Sequence, residues 1–332
     1  MLIEHAIFTS IRSSRNEGYH LAARSPGVLE GEAAELSQWG PGHESLYDEC
    51  ATWGAVSYHR LQSGRLCVSR TVLAGQEYSG RGGARVSTHS FLVPDAVMTR
   101  FANNPFRVME ALEAAGRVCT AAPPRRLEPV PLVGRASAVN TRQLERVTDA
   151  IGAEKLATLL CAALRTPSMG TTATGPAAPL FACLLDLVPP THRLPFSFST
   201  GLRVSARRPY RLVMLPRNPE EQRTAIRLVH LTPVDLTSDV PSKFAPQSGW
   251  ALKVYQLLKA RRFQLIRTTI EGLETTADSD LDVLSEQLRI RDDEQDAPAN
   301  VLTPFAASDR GTAGTGIGCH GDRPMPPGGI AR

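Results

Sequence analysis

The chain has 332 residues, enough for about two domains. Apolar residues make up 42% and charged residues 21%, which excludes a wholly disordered chain. The 37 Lys+Arg against 33 Asp+Glu leave a net charge of +4, too little to argue by itself for a nucleic-acid or membrane partner, and 6% aromatics disfavour a base-stacking platform.

Residues 1 to about 93 read as strands and turns. Alternating segments predict strands over Glu4–Ile11, Tyr19–Arg24, Ala55–Leu61, Arg65–Leu73 and Arg85–Val93. Ser25-Pro-Gly27 stops the second strand. Glu32–Trp39 predicts a short helix closed by Gly40-Pro-Gly42. Helical spacing begins after Pro94, and Pro105 sits at a helix start, where its missing N–H costs least. Residues 117–135 are proline-rich and mark a domain boundary.

Beyond it, Leu144, Val147 and Ile151 recur at steps of three and four, and Gly152 separates this helix from one carrying Leu156, Leu159, Leu160 and Leu164. Ser168–Pro179 reads as a Gly/Thr/Pro loop. Ala177–Val188 is the longest apolar run; it is far short of the ~20 residues that span a bilayer, and it carries Asp186. Phe196–Ser199 and Tyr210–Leu215 read as the two strands of a hairpin. One helix is expected over Trp250–Ile266, with Val254, Leu257, Leu258 and Leu265 on its apolar side, and a last short helix around Leu281–Leu288. The acidic, then Gly/Pro-rich residues 291–332 are expected to be disordered.

Catalytic signatures are missing. No phosphate-loop lysine, nucleophile elbow or HExxH pair occurs. The six cysteines form no CxxC pair, and several lie in apolar runs; with an opening Met1–Glu4 that lacks a signal peptide's features, this predicts reduced thiols and a cytoplasmic protein. No cofactor and no metal site is assigned. Five of the eight histidines fall in the first ninety residues. The candidate partner- or anion-binding side chains are Arg70, Arg81, Arg85 and His89 in the front half and Lys253, Arg261 and Arg262 in the late helix, because guanidinium groups bind anions in a bidentate fashion.

Three segments carry a resemblance: Ile7-Phe-Thr-Ser10 with Gly18-Tyr-His-Leu-Ala-Ala-Arg-Ser-Pro-Gly27; Thr88-His-Ser-Phe-Leu-Val93 leading into Phe101-Ala-Asn-Asn-Pro-Phe106; and Leu194-Pro-Phe-Ser-Phe-Ser-Thr200. Together they resemble the bacterial GTPase-associated protein family, with the second type of its N-terminal domain followed by its middle domain. The resemblance spans about residues 1–215 and leaves 216–332 without functional assignment. It implies a β-rich domain, a helical domain, and a non-enzymatic adaptor working with a GTPase in a bacterial signalling or defence system. It supplies no catalytic residues. The Arg12–Glu17 and Trp39–Leu46 segments depart from the family pattern.

The expected fold is therefore α+β: a β-rich domain over 1–135, a mainly helical domain over 136–290 with a hairpin at about 196–215, and a tail over 291–332. Two other functions stand beside the adaptor. One is a hydrolase whose site forms only in three dimensions, from His5, His20, His59 and His89 with Arg70 and Arg85. The other is nucleic-acid binding through arginines at 81–85 and 253–267.

Overall fold

The structure is a computed structural model that describes residues 1–12, 17–76, 84–119, 123–124, 126–240 and 242–296. In chain order the front half gives β1 (Leu2–Arg12), β2 (Glu17–Arg24), α1 (Glu30–Trp39), β3 (Ala55–Arg60), β4 (Leu66–Gln76), β5 (Ala84–Val93), α2 (Asp95–Arg100), α3 (Pro105–Ala114) and β6 (Val130–Pro131). The rest gives α4 (Thr141–Ile151), α5 (Ala153–Arg165), β7 (Met169–Thr172), α6 (Ala177–Asp186), β8 (Phe198–Ser199), β9 (Leu212–Met214), α7 (Pro219–Val229), β10 (Thr232–Asp235), α8 (Gly249–Lys259), α9 (Phe263–Gly272) and α10 (Leu281–Asp296). The α+β class and the β-rich front with later helices are as expected. Arg81, Cys319 and most of the expected tail lie outside the described residues.

The ten strands among the described residues join one sheet in the order β10-β7-β9-β8-β3-β4-β5-β1-β2, with β6 paired to the start of β1. Strands β3, β4, β5, β1 and β2 pair antiparallel, whereas β8, β9, β7 and β10 run parallel to one another. Met1–Arg289 is one compact unit, so the sheet draws strands from both sides of residue 135. The second unit, Ile290–Arg332, is described only as far as Asp296, where α10 ends.

Three expectations need correction. Strands β8 and β9 are neighbours but pair parallel, Phe198 opposite Leu212, so they form no hairpin. The intervening Thr200–Arg211 segment is long enough to cross back, and alternation of side chains does not encode strand direction. The single late helix is two: α8 ends with Arg262 N–H bonding Leu257 O and Arg261 N–H bonding Leu258 O, and Arg261 takes φ +56°. This is a Schellman stop with arginine where glycine is usual. Past the break the helical phase is lost, and Leu265 is exposed. The third correction is β7, which lies inside the segment read as a loop. Gly170 is needed there, because a Cβ would meet the Leu215 side chain at 2.8 Å.

Period two divides the sheet into two faces. One presents Val56, Tyr58, Leu66, Val68, Phe91 and Val93 to the main core, completed by α2, α3, α5, α6, α8 and α9. The other carries Ala6, Cys67 and Leu92 beneath Ala33 and Leu36 of α1, and Ala55 and Val86 beside Tyr47, Leu202 and Tyr210.

Within the main core lies a buried charge cluster. Asp186, the last residue of α6, is fully buried. Its Oδ2 accepts from Arg107 Nη2 at 2.7 Å and from Asn140 N at 2.9 Å; its Oδ1 accepts from Asn104 Nδ2 at 2.8 Å. Asn104 also caps α3 by accepting from Phe106 N. Arg193, equally buried, donates to the carbonyls of Val188, Ala102 and Ala138 at 2.7 to 2.9 Å. Burial among carbonyls pulls its pKa down to about 10, against the attraction of Asp186. Beside the cluster, Phe106 stacks on Phe198 with ring centroids 4.5 Å apart and planes within 6°. Removing the carboxylate would strand a buried guanidinium. Asp186→Ala is therefore expected to lower the unfolding free energy by about 3–5 kcal/mol, measured by urea denaturation. Pairing it with Arg107→Met should restore part of the loss.

Candidate functional site

The four N-terminal histidines of the hydrolase reading do not converge on one site; among them only His5 and His89 meet. His5 and His89 lie on the main-core face, and His59, paired across the ladder with Cys67, lies on the other. His20 is on β2, with its Nδ1 2.9 Å from Gly18 O. No group of three or more His, Cys, Asp or Glu is placed to hold a metal among the described residues.

His5 and His89 form a relay whose tautomers follow from one end. The Cys119 N–H donates to His89 Nδ1 at 2.9 Å, so Nε2 carries the proton. That Nε2–H donates to His5 Nδ1 at 2.7 Å, and His5 Nε2–H donates to Glu128 O at 2.7 Å. Both rings are neutral, and together they tie the backbone at residues 119 and 128 to the sheet. Burial lowers the pKa of His5; burial, with a smaller contribution from His5, brings His89 down to about 3. His59 stacks on Trp39 with centroids 3.9 Å apart, and neither of its ring nitrogens has a hydrogen-bond partner among the described residues. Burial alone takes it to about 3.

The arginine candidates are mostly held by the protein itself. Arg70, on the main-core face opposite His89, pairs with Glu113 of α3 at 3.0 Å. Arg85 donates through Nε and Nη2 to Ala74 O. Arg261 bridges Glu145 and Asp149 of α4. Lys253 is half-buried on α8, and Arg262 is exposed at the start of α9. The structure therefore holds Arg70 against α3 and Arg261 against α4, at the two ends of the candidate set.

Two adjoining clefts open where α3, α4 and α6 meet. The smaller, about 290 Å³, is lined by Trp53, Val56, Arg70, Phe106 and Met109. The larger, about 520 Å³, lies between α4 and the Thr174–Leu180 segment. They share Glu110, Gln143, Pro176 and Pro179. Glu110 accepts twice from Arg107 Nη1, and Gln143 Oε1 accepts from the same nitrogen at 2.7 Å. The sequence reading missed these clefts because their walls come from elements far apart in the chain. It did contain one pointer: Asp186 is the only charge in the longest apolar run.

The buried histidines make stability depend on pH. Folded, His59 and His89 stay neutral to about pH 3, whereas in the unfolded chain they take up protons below about 6.5. Stability is full above that value and falls as pH drops from 6.5 toward 3. Each ring contributes a slope of about 1.4 kcal/mol per pH unit. Denaturation at pH 7, 6 and 5 should show this decline. His59→Phe, which sacrifices no hydrogen bond among the described residues, should flatten it by one ring's worth.

No curated protein matches the chain. The family described as GTPase-associated protein 1, N-terminal domain type 2, matches residues 2–132, the stretch from β1 through β6. Residues 2–132 are thus similar to the N-terminal domain of the second type in the GTPase-associated protein 1 family.

Proposed function

We propose that the protein is a non-enzymatic interaction protein that works with a GTPase, as an adaptor or regulator in a bacterial signalling or defence system. The observation that carries this reading is the match of residues 2–132 to a domain named for GTPase association. The side chains add support. His5 and His89 spend their ring nitrogens on backbone groups and on each other, and Arg70, Arg85 and Arg107 are bound internally. These groups build and brace the sheet.

An interaction protein needs an exposed anchor, and Trp53 supplies one. It is 45% exposed at the edge of the smaller cleft, and tryptophan is enriched among residues that dominate binding energy. The partner in this reading is a GTPase, and the site of action is the cytoplasm. Arg262, exposed at the start of α9, offers a cation to an acidic surface on such a partner.

The test is calorimetry of the full chain against a small GTPase of the same organism, loaded with GDP or with a non-hydrolysable GTP analogue. Micromolar or tighter binding in at least one nucleotide state is expected, weakened about tenfold or more by Trp53→Ala. Binding in neither state would falsify the reading.

A further inference from the structure

We propose that the larger cleft is a binding site for a small amphipathic anion: an apolar body with a carboxylate or phosphate head. At about 520 Å³ the cleft lies within the size range of small-molecule sites. Its apolar wall is made by Val147, Ile151, Pro176, Pro179 and Leu180. The head group follows from which polar atoms remain unspent.

Among the described residues Glu110 is the only carboxylate lining the cleft, and both its oxygens accept from Arg107. Gln143 commits its Oε1 to the same guanidinium, and its Nε2–H donors have no partner among the described residues. Asn140 uses its Oδ1 to cap α4 by accepting from Gln143 N. Arg146 donates its Nε to Arg142 O at 3.3 Å and has no carboxylate partner among the described residues. Its natural partner one turn on, Asp149, is taken by Arg261, and so is Glu145. What remains is a guanidinium and a carboxamide N–H pair at positions i and i+3 of one helix face. Both are donors. Two donors beside an apolar wall, with the acceptors already satisfied, select an anion with an apolar tail. This inference is independent of the GTPase reading.

The test uses the full chain with decanoate, decyl phosphate and decyltrimethylammonium, followed by calorimetry and by the thermal midpoint, which a ligand of the folded state raises. At least one anion is expected to bind and the cation is not; which anion binds distinguishes a carboxylate head from a phosphate head. Arg146→Gln changes an exposed side chain and should weaken binding about tenfold or more. Ala150→Trp, which fills the cleft from exposed helix surface, should abolish it. Both variants should keep the ligand-free midpoint of the parent. Failure of both anions to bind would overturn the proposal. Equal binding of the cation, or binding that survives either substitution, would do the same.

Discussion

Asp186 takes three hydrogen bonds from two segments far apart in the chain, and that convergence sets how the helices stand on the sheet. Its donors are the cap of α3, the first turn of the same helix, and the backbone just before α4. Arg193 adds a second buried node, tying the end of α2, the approach to α4 and the exit from α6 through their carbonyls. Ionised groups leave water at a cost of several kcal/mol each, and geometry this complete is what offsets it. Apolar packing alone would allow α3, α4 and α6 to slide along one another. A carboxylate with fixed acceptor directions does not.

The two segments at residues 101–106 and 194–200 meet in the main core. Asn104 and Phe106 come from the first; Phe198 and Thr200 come from the second. Phe106 stacks on Phe198, and Thr200 Oγ1 accepts from the Val56 N–H, fastening the parallel half of the sheet to β3. The opening segment works in a similar way at the other end. Ser25 Oγ accepts from His5 N, and the Gly27 N–H reaches the Glu4 carboxylate. These motifs are joints of the scaffold. On the sheet's other face, small hydroxyl residues meet across strands, Ser69 with Ser90 and Thr71 with Thr88, both at 2.9 Å. Paired this way they are buried with their hydrogen-bonding capacity met, and they leave depth for Trp39, His59 and Tyr210.

Strands β1 to β5 were legible because each alternates and each ends in a turn signal. α3, α4 and α5 were legible because Pro105, Gly116 and Gly152 punctuate them. The failures have local causes. β7 has four residues with a glycine inside, too short for period two to register. The stop after α8 uses Arg261 at positive φ, so the usual glycine mark is missing. α7 ends the same way on His230, at φ +53°. Parallel pairing of β8 and β9 depends on partners contributed by β3 and β7, which no local pattern specifies. The candidate residues show the same limit. Arg70 and His89 are true cross-strand neighbours, as strand pairing implies. Arg261 was expected within a single late helix, and the break turns it toward α4.

Arg107 links the sealed cluster to the open clefts. One of its nitrogens meets Asp186 in the core, and another meets Glu110 and Gln143 on the cleft wall. Burial lowers its pKa, but the charges of Asp186 and Glu110 outweigh this and raise it, so the guanidinium stays charged and committed. The consequence reaches one helical turn along α4. Glu110 is bonded by Arg107, and Glu145 and Asp149 by Arg261, which leaves Arg146 as the charged side chain on the larger cleft with no carboxylate partner among the described residues. The same ion pairs that fix the helices therefore decide the sign of charge that the surface between them presents.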